Sequence, residues 1–207
     1  MLNKYRDDRS SNSKGDSLGG FIYEIVKMFV LALVIIVPIR IFLFQPFIVR
    51  GASMEPNFAE KEYLIINEFG YKYVDLFDGA ITVKPRKDLE RGEIIVFREP
   101  IGDHKDFYIK RVIGVPGETV EVADGQVKIF NDANPAGFVL DEDAYLPQKR
   151  RTLGMVKYTL TDDQYFVLGD NRNASSDSRR FGPITKNDVI GKVLLRAFPL
   201  NKVGIYR

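Results

Sequence analysis

Residues 21–44 read FIYEIVKMFVLALVIIVPIRIFLF, and a segment this apolar has few places to go in water. Its longest uncharged run, 28–39, has twelve residues. That is roughly 18 Å as a helix, short of the ~30 Å hydrocarbon core of a bilayer. Taken from 22 to 44 the reach is roughly 34 Å. Glu24 and Lys27 then fall near one interface and Arg40 snorkels at the other. Pro38 bends the outer turn at most. Three fates compete: a helix buried in a soluble core, a cleaved signal peptide, and an uncleaved single-span anchor. A cleavable signal needs a small-x-small site after the apolar run, and the residues that follow, RIFLFQPF, are bulky throughout. The anchor is therefore the expectation. Residues 1–20 are polar, end in Gly-Gly and predict a disordered tail. Its Lys4, Arg6, Arg9 and Lys14 outnumber Asp7, Asp8 and Asp16. That excess places the tail in the cytoplasm and residues 45–207 outside a plasma membrane crossed once.

The rest of the chain is large enough for one domain with a real core. Thirty Lys and Arg against 28 Asp and Glu leave a net charge of +2, which gives no reason to expect a nucleic-acid partner. With no cysteine there is no disulfide framework, thiol nucleophile or cysteine-based zinc site. With one histidine, a Ser-His-Asp triad would rest on His104 alone.

From Gln45 onward the pattern is that of a β-rich domain. Strand-like runs fall at 47–49, 63–66, 80–83, 93–97, 107–112, 119–122, 127–129, 156–160, 165–168 and 193–197. Turn signals such as Asp124-Gly125 and Pro116-Gly117 separate them. No amphipathic helix of useful length appears. Many short strands with tight turns predict a mainly β, folded-sheet or barrel-like module. Residues 131–154, rich in Asp, Pro and charge, predict an excursion over the surface.

Three segments carry chemistry. In Gly51-Ala52-Ser53-Met54-Glu55-Pro56 a serine follows a β run, with a glycine that permits close approach and a proline that stiffens the turn. An ordinary turn serine fits this segment equally well. In the run 108–113, YIKRVI, alternation puts Tyr108, Lys110 and Val112 on one face and Ile109, Arg111 and Ile113 on the other. A lysine in so apolar a run is open to desolvation, which lowers its pKa. Bringing it from ~10.4 to about 7–8, where it serves as a general base, takes roughly 4 kcal/mol of environment. A lysine on the solvent face of a hairpin is the commoner case. The third segment, GDNRNASSDSR from Gly169 to Arg179, is dense in short side chains that bond local backbone. Asp177 and Arg179 can pair there, and Ser175 can be aimed at a neutral lysine.

Together these segments resemble the type I signal peptidases, membrane-bound serine proteases that release secretory signal peptides. The resemblance rests on Ser53-Met54-x-Pro56, Arg91-Gly92-Glu93-Ile94-Ile95-Val96-Phe97, Lys110-Arg111-Val112-Ile113-Gly114-x-Pro116-Gly117 and the loop from Gly169 to Arg179, in that order behind one apolar segment. It implies a catalytic module of two antiparallel β-sheet domains after one transmembrane helix. It implies Ser53 as nucleophile and Lys110 as general base. Ser175 would hydrogen-bond the lysine, Asp177 and Arg179 would form a supporting ion pair, and Asp170 would support the same loop. The substrates implied are secretory preproteins with small residues at the first and third positions before the cut. Val49, Gly51, Met54, Tyr108 and Ile109 are the candidate substrate-binding residues. No metal, cofactor or obligate protein partner is implied beyond substrate and bilayer. Gly51 stands where some branches carry a serine, as in the short Gram-positive forms, and the usual Thr-Leu after the motif proline is Asn57-Phe58. Two rivals share parts of this pattern: a membrane-tethered, non-catalytic binding module, and a Ser–Lys self-cleaving repressor-type protease. The latter would carry a DNA-binding region in place of residues 21–44.

Overall fold

The computed structural model describes residues 18–76, 78–79, 81–101, 106–147 and 151–206, with backbone only at 38–42, 76 and 81. His104 and most of the expected tail lie outside the described residues. The chain divides into two units, Met1–Ile39 and Arg40–Arg207.

The first unit holds most of one helix, α1 (Leu18–Phe42). Its stretch Leu18–Val37 has a mean hydropathy of 2.4 and none of it is buried against protein. Twenty such residues span roughly 30 Å, the thickness of a hydrocarbon core. A helix with no polar face is stable only where something apolar surrounds it. Glu24 and Lys27, 3.7 Å apart one turn into the helix, are its charged side chains within that stretch.

The second unit is antiparallel β throughout. Its strands are β1 (Phe44–Ile48), β2 (Tyr63–Asn67), β3 (Val74–Leu76), β4 (Ile81–Val83), β5 (Ile94–Arg98), β6 (Phe107–Gly114), β7 (Thr119–Ala123), β8 (Gln126–Asn131), β9 (Asn134–Val139), β10 (Val156–Thr159), β11 (Gln164–Leu168), β12 (Ile184–Thr185), β13 (Val189–Phe198) and β14 (Gly204–Ile205). A four-residue helix, α2 (Ser178–Phe181), interrupts them. The larger sheet runs β1-β2-β13-β5-β6-β11-β12, with β14 on β13. A second sheet runs β10-β7-β8-β9, and β3 and β4 form a separate hairpin. The mainly β, antiparallel, two-sheet architecture expected from sequence is thus present, with both sheets inside one compact unit.

Burial follows the strand period where one face is wet. In β7 and β8, Val120, Val122, Val127 and Ile129 point inward and their neighbours outward. In β5 and β11 nearly every residue is buried, because both faces of these central strands are covered. The core forms three clusters. One surrounds Met54, Phe58, Leu64 and Ile66. The second surrounds Phe97, Tyr165 and Val167. The third lies where the four-stranded sheet meets Phe166 and Leu168.

Two topological facts position the site. Four antiparallel steps separate β1 from β6, so the two strands run in the same direction. Along 107–110, β6 pairs with β5 on one edge, while β11 reaches only residues 111, 112 and 114. Among the described residues the opposite edge of 107–110 has no strand partner, and β1 pairs on one side only. The sheet curls until these edges approach: the Phe47 and Phe107 rings lie 5.4 Å apart, edge to face.

Candidate active site

Ser53 sits in the turn after β1. The pairing of β1 extends one residue, through Val49 N–H to Glu62 O (2.9 Å) and Lys61 N–H to Val49 O (2.9 Å). Gly51, at φ +77°, then takes the left-handed conformation that turns the chain. The turn is tied to the loop after β11: Asn171 N–H donates to Ser53 O (2.9 Å) and Asn171 Nδ2 to Ala52 O (3.1 Å). That close approach depends on Gly169, where a Cβ would stand 2.5 Å from Ser53 O and 2.2 Å from Ser175 Oγ.

Lys110, on the open stretch of β6, is 4% exposed. Its Nζ donates to Ser53 Oγ (2.9 Å) and to Ile109 O (2.8 Å). Burial lowers its pKa from 10.5 to about 8, with Asp177 and Asp170 pulling the other way. A neutral amine within hydrogen-bond reach of a hydroxyl is a base–nucleophile pair. Among the described residues the Ser53 N–H makes no backbone hydrogen bond.

Ser175 differs from its expected contact. It reaches the same loop, but its Oγ is buried against Gly169 without a hydrogen-bond partner, and the bonds of Lys110 go to Ser53 and Ile109 instead. Asp177 caps α2 and grips Arg179 with both carboxylate oxygens (2.8 Å each). It also accepts from Gly169 N–H (3.1 Å). Arg179 extends this brace to Leu153 O (2.9 Å) and Arg172 O (2.7 Å).

Asp170, fully buried, forms a fork with Arg111: Nε to Oδ1 at 2.8 Å and Nη2 to Oδ2 at 2.7 Å. Asn57 Nδ2 donates to the same carboxylate (2.8 Å) and to Tyr145 O (2.7 Å). The Arg111 guanidinium lies 4.0 Å from the centre of the Tyr145 ring. Arg172 pairs with Glu142 and bonds Thr152. Residues 131–154 therefore do more than cover surface. Asn134–Val139 form the edge strand β9, and Glu142, Tyr145, Thr152 and Leu153 hold the loop that bears on Ser53. Sequence reasoning missed these four residues and Arg172. Their only signal was charge density in two segments far apart in the chain. The Asn57-Phe58 departure has a structural counterpart, since Asn57 bonds Asp170 and Phe58 is fully buried.

A cleft of about 650 Å³ opens between residues 45–50 and 106–110, with Ser53 at one end and Leu64 and Val96 beneath. Val49, Tyr108 and Ile109 line it. Tyr108 is held by a hydrogen bond from its hydroxyl to Glu99 (2.8 Å), and its ring lies 5.4 Å from Lys110 Nζ. Two candidate substrate-binding residues fall elsewhere. Met54 is fully buried in the core with Phe58 and Leu64, because the turn that presents Ser53 outward turns its neighbour inward. Gly51 shapes the turn and is not on the wall.

The family model described as signal peptidase, peptidase S26, matches residues 22–198. A signal peptidase I of Bacillus amyloliquefaciens is 34% identical over 192 residues, covering 88% of this chain and 91% of its own. One of Bacillus licheniformis is 34% identical over 208 residues, covering 95% and 97%. A solved signal peptidase I structure from Enterococcus faecalis is 32% identical, with a TM-score of 0.41 over 51% of this chain and 97% of its own. The agreement in sequence runs from the apolar helix to the last long strand, and the chain belongs to the signal peptidase family, peptidase S26.

Proposed function

We propose that the chain is a membrane-anchored serine endopeptidase that cleaves signal peptides from secretory preproteins after small-x-small sites, with Ser53 and Lys110 as a catalytic dyad. The observation that carries this reading is the 2.9 Å contact between Ser53 Oγ and a buried Lys110 whose pKa is lowered to about 8. Neutral Lys110 takes the Ser53 proton as Oγ attacks the scissile carbonyl. The Ser53 N–H donates to the oxyanion. Protonated Lys110 then gives its proton to the leaving amine. A water, deprotonated by the same amine, hydrolyses the acyl ester and frees the signal peptide. Asp177–Arg179 and Asp170–Arg111 hold the loop and β6 against the serine turn. Ser175 stays a candidate partner of the amine once the loop adjusts around substrate.

The cleft suits an extended peptide. Its walls are two strand edges running the same way, and both lead toward Ser53. A substrate whose scissile carbonyl lies at Ser53, and whose preceding residues fill the cleft, runs parallel to both strands. In that pose side chains alternate, so the first and third residues before the cut face the same wall. Val49 and Ile109 line the cleft there, and an apolar wall of this kind suits small side chains such as alanine. The apolar helix supplies the bilayer partner, with the tail cytoplasmic and residues 45–207 outside.

The test is cleavage of a precursor with an Ala-x-Ala site by the detergent-solubilised full chain. Cutting is expected after the final alanine. It should rise with pH through a single ionisation near 8, because the neutral amine is the active form. Ser53→Ala should lower kcat/KM by at least about 10⁴-fold. An inert wild type on several such precursors would leave a tethered binding module as the better reading. Efficient cleavage by Lys110→Ala would remove the dyad and return attention to His104.

A further inference from the structure

The cleft carries a cation that the dyad does not use. Arg50 lines it immediately beyond Val49, is exposed, and makes no ion pair among the described residues. Burial along β1 and its extension alternates: Phe47 and Val49 turn inward, Ile48 and Arg50 outward. A substrate strand lying parallel to β1 alternates in step. The first and third residues before the cut share the Val49 side. The second residue before the cut and the first after it share the Arg50 side. Both strands lead toward Ser53, and Arg50 follows Val49 in that direction. It still precedes Ser53 by three residues, within the cleft that holds the residues before the cut, so it stands beside the second residue before the cut.

The opposite charge lies at the other end. Asp106 lines the β6 wall just before Phe107, whose ring meets Phe47, so it is level with the beginning of β1. Counted from Pro46, its level on β1, four residues at about 3.3 Å each separate it from Arg50 by roughly 13 Å along the cleft. The cleft thus presents a carboxylate where the signal peptide enters and, nearer Ser53, a guanidinium with no ion pair among the described residues. Guanidinium recognises carboxylate by a planar, two-pronged hydrogen bond.

On this basis, and resting on the proposed reading of the cleft, we infer that Arg50 is a specificity-determining residue that favours an acidic side chain at the second position before the cut. The experiment uses the solubilised full chain and three synthetic peptides that differ only in the middle residue of the cleavage site, Ala-Glu-Ala, Ala-Gln-Ala or Ala-Lys-Ala. The readout is the ratio of kcat/KM for the Glu peptide to that for the Lys peptide. For wild type the ratio should be about five- to tenfold at low salt, the combined effect of an attraction and a repulsion of exposed charges, and should shrink in 0.5 M salt. Arg50→Gln should bring it close to one, and Arg50→Glu should invert it. A substitution that merely disturbed the turn would lower all three rates together and leave the ratio in place. If wild type cuts the Gln peptide but the ratio is the same in all three proteins, the role of Arg50 is overturned while the peptidase reading stands. If wild type cuts none of the peptides, the reading of the cleft fails and this inference with it.

Discussion

Replacing Lys110 with methionine is expected to abolish cleavage while making the folded domain more stable. Both effects follow from one fact. The amine is 4% exposed, and burial lowers its pKa from 10.5 to about 8, against the pull of Asp177 and Asp170. Holding a lysine that far below its ordinary value costs the folded state about 3 kcal/mol at any pH below 8. Between 8 and 10.5 the unfolded chain binds a proton that the folded chain does not. Wild-type stability therefore rises with pH across that window, and the cost is gone above it. Methionine fills a similar volume without the charge. It forfeits the bonds to Ser53 Oγ and Ile109 O, each worth about 1 kcal/mol or less in net terms. The net expectation is a variant about 2 kcal/mol more stable than wild type at pH 7, with the margin closed at pH 10.5. Denaturant unfolding of the two proteins in the same micelles at both pH values measures this. Cleavage should fall about 10²- to 10⁴-fold, the contribution of a positioned general base. A variant no more stable than wild type at pH 7 would mean that the amine is not desolvated. The pH rise expected for cleavage would then lose its physical basis.

The parts of this site differ in how far the sequence alone revealed them. Ser53 and Lys110 lie in short segments with local signals: a glycine before a serine after one strand, and a lysine inside an apolar run. Strands with plain alternation or continuous burial, such as β7, β8 and β11, were legible for the same reason. β9 was not, because Pro135 and Gly137 read as breakers. At a sheet edge both are tolerated, and Asn134–Val139 pair with β8. β12 and β14, two residues each, carry no periodic signal at all. The braces of the site were hidden by distance. Arg111 and Asp170 are 59 residues apart in the chain, and Arg172 and Glu142 are 30 apart. Alternation did place Arg111 on the face opposite Lys110, but nothing in the sequence named what waited there. Met54 shows the converse error. It was expected to bind substrate, and the turn after Ser53 sends its side chain into the core.

Asp170→Ala is expected to cost the largest share of stability of any single change at the site, about 3–5 kcal/mol. The carboxylate is fully buried, and it meets the guanidinium of Arg111, itself only 7% exposed, through two bonds of 2.8 and 2.7 Å. Without it, a buried cation keeps Gly92 O (2.8 Å) and the face of Tyr145 among the described residues. Asn57 Nδ2 loses a partner as well. For a domain of this size the loss corresponds to a fall in Tm of roughly 10 °C. The penalty belongs mainly to the stranded charge and less to the pair itself, so removing both partners should be milder. Arg111→Met combined with Asp170→Leu is expected to recover at least half of the lost stability. Thermal unfolding of the single and double variants tests this, and a double variant as unstable as Asp170→Ala would show that the pair is worth more than its desolvation. Cleavage separates the second role of the carboxylate. Asp170 joins β6, which carries Lys110, to Asn57, four residues after Ser53. A double variant that regains stability but not activity would place the function of the fork in aligning base with nucleophile. Recovery of both would reduce it to neutralising Arg111.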